Sequence, residues 1–276
     1  MTRLRGRNVI VTGASRGIGA AIAQRVAAEG ANVVITARTL DKHDHLAGSL
    51  NETLERCRGY GTRVAVLAID LADGDDRARI VPAAVDALGG PIDVLINNAA
   101  AGIHQLSAEI PLKRRRIMFE VNFHAPIDLA QAVIPAMRAK GEGWIVNLSS
   151  GGARLVDGPP FPQSALGTTN GTYGSTKAAL NKFTNALGAE LHGTGIRINT
   201  IEPLKPVATE GAIAHLGDRI QADHYAPVEI MVEATLALAT CGPDLTGRVL
   251  VDEPLLRELG VTVMSLDGAS EFARTR

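Results

Sequence analysis

The sequence carries no strong excess of either charge. Its formal net charge is −1 and its pI is about 6.7, which excludes the strongly basic surface expected of a nucleic-acid partner. Cysteine is nearly missing. Cys57 and Cys241 show no CxxC spacing, which excludes a disulfide framework and makes a reducing, cytoplasmic setting the default. Long apolar runs are lacking as well. None approaches the roughly 18 residues of a membrane span. The run after the basic Arg3, Arg5 and Arg7 ends at Gly13, too soon for the apolar centre of a signal peptide. There is no solenoid-like repeat and no low-complexity linker.

What the chain does have is length and apolar content. With 276 residues, 46% of them hydrophobic, it can bury a large core, and one domain over 1–276 fits better than two. Short runs rich in Val and Ile recur at 8–13, 32–37, 63–70, 92–98, 143–150, 195–203 and 247–252. They are continuous rather than alternating, as expected of strands buried on both faces. Helical patterns lie between them at 17–29, 44–58, 75–88, 111–139, 172–192 and 228–239. This alternation predicts an α/β fold, a doubly wound and mainly parallel sheet with helices on both faces, with ligands at the carboxyl ends of the strands. Two segments interrupt it, 151–171 and 204–226, and both read as substrate loops. A tail follows at 253–276.

The first strand runs into "VTGASRGIGAAIAQRVAAEG". Gly13, Gly17 and Gly19 allow a tight turn and a close backbone approach to a pyrophosphate, which the next helix would meet with its N-terminal amides. An ordinary glycine-rich turn is the plainer alternative. The second strand ends in "ITARTLDK", with Arg38 where NAD-binding folds place an acid for the ribose 2′-hydroxyl. Arg38 and Arg16 could instead clamp a 2′-phosphate, so NADP(H) is expected over NAD(H). The plainer alternative is two solvated arginines.

"TYGSTKAALNKF" puts Tyr173 and Lys177 four residues apart, on one face of a helix. They read either as an acid–base pair or as part of an amphipathic surface. A phenol's pKa near 10 is high for proton transfer at neutral pH, and a nearby ammonium lowers it.

"TGASRGIG", "NNAA" (97–100), "VN" (121–122), "IVNLSS" (145–150) and "YGSTK" (173–177) occur in this order. Together they resemble the short-chain dehydrogenase/reductase superfamily, in its common subtype of about 250 residues, over roughly residues 5–252. The resemblance implies a Rossmann-like three-layer sandwich with a seven-stranded sheet. It implies a catalytic set of Tyr173 as general acid/base, Lys177 as its activator, Ser150 at the reacting oxygen and Asn122 as a relay through water. Ser149 is the neighbouring alternative to Ser150. It further implies cofactor contacts from Gly13, Ser15, Arg16, Gly17, Ile18, Gly19, Arg38, Asp70, Leu71, Asn98, Pro203 and Thr209, and from Tyr173 and Lys177. Asp70 would face adenine, Thr209 the nicotinamide amide, and Asn97 would steady the sheet. An acid at a helix N-terminus is the plainer reading of Asp70.

The sequence departs from the family pattern at Ala100, where glycine is common, and at Pro203-Leu204, where Pro-Gly is usual. Leucine does not take positive φ cheaply, so a different path is expected there. The interval from Ser150 to Tyr173 is long, and its residues should shape substrate access. His43 and His45 lack partners for a metal site. The stretch Lys113–Arg116 reads as a solvated face, with a patch for an anionic substrate handle or an oligomer contact as the sharper alternative. His104 and His124, near the site segments, read as packing or polar-surface residues rather than catalysts, and Trp144 as core. The implied activity is NADP(H)-dependent hydride transfer to or from an apolar carbonyl or secondary alcohol. The alternatives are a non-catalytic NADP(H)-binding sensor or scaffold, and an epimerase working through a transient ketone. The resemblance also implies a homodimer or homotetramer, formed through the long helices at 111–139 and 172–192.

Overall fold

The computed structural model describes residues 2–41, 47–161, 170–216 and 224–273. The described residues carry one seven-stranded sheet, parallel at every pairing. Its strands are β1 (Asn8–Thr12), β2 (Asn32–Ala37), β3 (Val64–Ala68), β4 (Val94–Asn97), β5 (Gly143–Leu148), β6 (Ile196–Glu202) and β7 (Val249–Val251). Their order is β3-β2-β1-β4-β5-β6-β7. The winding reverses between β1 and β4, which opens a crevice at their carboxyl ends.

Burial on both faces explains the unbroken apolar runs. Val9, Val11, Val33 and Ile35 pack on one face with Ile22 and Val26 of α1 (Gly17–Ala28) and Met231 and Val232 of α8 (Val228–Leu238). Ile10, Val34 and Leu95 pack on the other with Ile80 of α3 (Gly74–Leu88) and Leu129 and Val133 of α5 (Ala125–Lys140). Successive strand residues point to opposite faces, and here both faces are core.

Local chemistry moves several helix ends from where periodicity puts them. Helix α2 covers only Leu50–Arg58, because Ser49 caps it by accepting from the Glu52 N–H at 3.1 Å. Of the earlier part of that predicted helix, residues 44–46 lie outside the described residues. The long helix predicted at 111–139 is broken into α4 (Leu112–Phe119), a π-helical turn (Glu120–His124) and α5. Pro126 accounts for this: it has no N–H to offer the carbonyl four residues back, which is that of Asn122. The loop 204–226 holds a further helix, α7 (Glu210–Leu216), and a parallel bridge between Val207 and Ala226 joins its stems. Residues 162–169 and 217–223 of the two predicted substrate loops lie outside the described residues, as do His43 and His45.

The tail folds back on the body. Helix α9 (Asp252–Leu259) buries Leu255 and Leu256. Beyond it, Ser265 O accepts from Arg25 and the Met264 N–H reaches Glu233.

Candidate active site

The turn after β1 is glycine-rich because side chains do not fit. Gly13 has φ +68°, and a Cβ there would lie 2.7 Å from Ala99 Cα. A Cβ on Gly19 would lie 2.3 Å from Asn98 Nδ2 and 2.4 Å from Gly13 O. Asn98 ties the crevice together by donating to Thr12 O at 2.8 Å and Gly13 O at 3.2 Å. Ser15 is buried and Ile18 partly so, both turned toward the protein. Helix α1 has no side-chain cap and no acid in its first turn, so its N-terminus is left to an anion from elsewhere.

Arg38 is exposed at the end of β2. Arg16 donates to Ala47 O at 2.8 Å and to Gly48 O at 3.0 Å, so its guanidinium is drawn toward the loop that enters α2. Asp70 accepts from the Ala72 N–H at 3.0 Å, closing the turn after β3. Asp73, not Asp70, caps α3, accepting from the Asp75 and Asp76 N–H groups. Leu71 is buried, and its carbonyl accepts from Arg77.

The structure brings four residues expected from distant parts of the sequence to the carboxyl ends of β4 and β5. Asn122 is fully buried; its Oδ1 accepts from the Ala101 N–H at 2.7 Å, and its Nδ2 donates to Ala101 O and Thr176 Oγ1, each at 3.0 Å. Lys177, 2% exposed, donates from Nζ to Leu148 O at 2.7 Å. The Ser150 hydroxyl stands beside the Tyr173 phenol, near enough to draw its pKa down. Ser150 Oγ also accepts from the Gly152 N–H, whereas Ser149 Oγ is buried without a partner.

The electrostatics differ from the simple picture of an ammonium acidifying a phenol. Burial pushes Tyr173 above its ordinary value, and the Ser150 hydroxyl pulls only partly back. Lys177 Nζ lies 6.0 Å from the Tyr173 ring centroid, with one of its three N–H donors given to Leu148 O. Burial also lowers Lys177, to about 8. Below pH 8 both the folded and the unfolded lysine are charged, and the fold bears the full desolvation penalty. Between about 8 and 10.5 the unfolded chain binds more protons, so this residue makes stability rise with pH. We therefore expect Lys177→Met to be more stable than the wild type at pH 7, by roughly 2 kcal/mol, the roughly 3 kcal/mol of that shift less the lost hydrogen bond to Leu148 O. The gap should close as pH approaches that of an ordinary lysine. Urea melts at pH 7 and pH 10 read this directly, and a variant less stable at pH 7 would refute it.

Three residues of the site stand outside the set that the motifs imply. Thr176, inside the "YGSTK" motif, orients Asn122. The His104 ring lies 5.8 Å from that of Tyr173, beside the site where its place in the sequence puts it. Glu202, buried at the end of β6, accepts from Arg154 Nε at 2.7 Å. A charge closing the buried run "GIRINTIEP" is the signal the sequence offers for it. The path after β6 is set by Leu204, whose N–H donates to the buried Asp252 at 2.9 Å. The structure has no non-glycine residue at positive φ among those described. Thr209 accepts from the Ala212 N–H at 3.1 Å, capping α7, and its methyl lies 3.2 Å from where a Gly17 Cβ would stand. It therefore sits over the glycine turn.

A doubly wound parallel sheet with a glycine turn at its switch point and a Ser-Tyr-Lys cluster beside it defines a dinucleotide-binding oxidoreductase scaffold. The short chain dehydrogenase family matches residues 7–214, and this chain belongs to that family. It is 31% identical over 259 residues to the mouse (Mus musculus) hydroxysteroid dehydrogenase-like protein 2. That match covers 94% of this chain and 51% of the mouse protein, so the chain spans about half the length of that relative. Among solved structures it resembles a short chain dehydrogenase from Mycobacterium thermoresistibile (TM-score 0.81, 29% identity, 98% of this chain and 94% of that one). It also resembles a 3-oxoacyl (acyl-carrier-protein) reductase from Agrobacterium tumefaciens with NADP bound (TM-score 0.76, 25% identity, 90% and 93% covered). Among the described residues, no helix is long and apolar enough to cross a membrane.

Proposed function

We propose that the protein is an NADP(H)-dependent oxidoreductase that interconverts an apolar carbonyl compound and its secondary alcohol. The observation that carries this reading is the placing of Ser150 beside Tyr173, one helical turn from the buried Lys177 that donates to Leu148 O. The nicotinamide, when bound, supplies or accepts the hydride. Its diphosphate would meet the turn of Gly13, Gly17 and Gly19, whose packing leaves no room for side chains, with Ser15, Ile18 and Asn98 shaping the walls. Arg38 and Arg16 would take the 2′-phosphate, and Asp70 and Leu71 would flank the adenine. On the far side, Pro203 and Thr209 would border the nicotinamide.

Burial holds the Tyr173 phenol protonated at neutral pH, ready to give its proton to a carbonyl oxygen. Ser150 donates to that same oxygen as negative charge develops on it. Lys177, lowered to about 8, can give up and regain a proton near neutrality. The Asn122 carbonyl, which Pro126 leaves without its α-helical donor, is placed to hold water on the route to solvent.

An apolar substrate agrees with the exposed Leu106, Leu155, Val156, Phe161, Leu204 and Ile213 on the loops after β4, β5 and β6, and with the steroid-linked name of the mouse relative. A depression of about 450 Å³ lies on the face of α6 (Gly171–Glu190) away from Tyr173 and Lys177, so it is a neighbour of this centre and not the centre itself. We also propose that the helices at 112–140 and 171–190 pair in a homodimer or homotetramer in the cytoplasm, which light scattering at micromolar concentration tests for the assembly.

NADPH oxidation followed at 340 nm against aldehydes, ketones and quinones tests the activity. Binding without turnover in either direction would favour a sensor. Cofactor choice has its own test. Arg38→Asp is expected to move the NADPH-to-NADH affinity ratio toward NADH by about 10- to 100-fold, since it replaces a charge-assisted phosphate contact with repulsion. An unchanged ratio would refute the 2′-phosphate assignment.

A further inference from the structure

Helix α1 offers an anion seat that its own sequence leaves open: Arg16 before it is extended and does not cap it, and its first turn holds no acid. In the structure an anion from elsewhere in the chain meets it. The Gly17 N–H donates to Glu210 Oε2 at 3.1 Å, across 193 residues of sequence. Three features fix that carboxylate there. The Val207–Ala226 bridge anchors the segment just before it, with the Ala208 N–H on Ala226 O at 3.1 Å and the Ala226 N–H on Pro206 O at 2.7 Å. Thr209 caps α7, so Glu210 opens the helix in a set orientation. The Thr209 methyl presses against Gly17, which seats the whole corner on the glycine turn.

Resting on the cofactor reading above, we propose that Glu210 is a built-in competitor for the diphosphate seat. Its carboxylate holds the Gly17 amide in the free protein and must leave before a phosphate oxygen can take the same donor. Two anions cannot share one N–H at the positive end of a helix. A ligand that binds only the opened form has its apparent affinity reduced by the fraction of protein that is open. The same movement would lift Thr209 and α7 from the glycine turn as the cofactor enters, so cofactor binding and the position of this segment are coupled.

The test is NADPH titration by fluorescence on the unliganded wild type, Glu210→Gln and Glu210→Ala, with melting curves for each with and without NADPH. Glu210→Ala should bind NADPH roughly 3- to 10-fold more tightly. Glu210→Gln, which keeps an acceptor and loses the charge, should fall between. The unliganded variants should melt slightly below the wild type, while their NADPH-induced rise should be larger. Equal or weaker NADPH binding by Glu210→Ala, with a wild type that binds, overturns this proposal and leaves the cofactor reading intact. A wild type that binds neither NADPH nor NADH overturns both. Glu210→Gln, isosteric with the native residue, guards against a loss of binding caused by misfolding of α7.

Discussion

Tyr173→Phe is expected to lower turnover by roughly a hundred- to ten-thousand-fold, the range of a lost general acid, while NADPH binding stays nearly unchanged. The substitution removes one hydroxyl and keeps the ring, which still packs beside His104. It leaves Ser150 with the Gly152 N–H as donor but without its phenol partner. The outcome separates chemistry from structure, since only the phenol hydroxyl disappears and the helix around it stays intact. Because burial raises the Tyr173 pKa, wild-type reduction should hold its rate through neutral pH and fall only in alkali as the phenol ionises. The alkaline limb should vanish from whatever residual activity the variant retains. Steady-state rates from about pH 6 to 11.5, a range that passes the ordinary phenol value, with NADPH affinity measured separately, decide the matter. A variant with near-normal turnover would remove Tyr173 from the mechanism.

Glu233→Leu is expected to cost about 3–5 kcal/mol, the range for breaking a buried ion pair by removing one partner. Glu233 and Arg25 are 1% and 2% exposed and are joined at 2.9 Å. Arg25 also bonds Glu29 at 2.8 Å, and Arg3 reaches both Glu29 and Glu233. The network ties α1, α8, the N-terminal segment and the tail, whose Ser265 carbonyl and Met264 N–H complete it. In the variant, Arg25 would stay buried with one of its three acceptors gone, leaving Glu29 and the Ser265 carbonyl. The melting temperature should drop by roughly 10 °C. Arg25→Met combined with Glu233→Leu should recover much of the loss, because an apolar pair carries no stranded charge. Equal melting of the single and double variants would show that packing, not charge, holds this corner. Acid should loosen it too. Burial opposes ionisation of Glu29, but the Arg3 N–H and the Arg25 and Arg3 side chains outweigh it and hold its carboxyl below 4.5. Its contribution is full above that pH and is lost as pH falls through the lowered value.

The strands and their parallel pairing are legible because a strand buried on both faces must be apolar throughout, and runs such as Val9–Val11 and Val33–Ile35 show it; their order in the sheet came from the structure. The glycine turn is legible because Gly13 and Gly19 occupy positions where a Cβ collides with its neighbours. Helix limits are less so. Ser49, Asp73 and Pro126 act through one or two hydrogen bonds made or missing, which apolar periodicity does not register. The charge network is invisible for another reason. Arg25, Glu29 and Glu233 look like surface residues of amphipathic helices until α1 and α8 pack together and exclude water from them.

The sequence alone therefore determined the layered α/β scaffold, its family and the Tyr173–Lys177 spacing. These rest on local periodicity and on short motifs whose geometry one turn or one helix dictates. Tertiary structure decided which serine meets Tyr173, how Asn122 is held, and that Thr209 and Glu210 lie over the glycine turn. Each of these depends on segments far apart in the chain being brought within hydrogen-bond reach. It also decided the protonation of the site. Spacing alone makes Lys177 a charge that draws the phenol's proton off, but burial acts on both groups and keeps the proton on Tyr173.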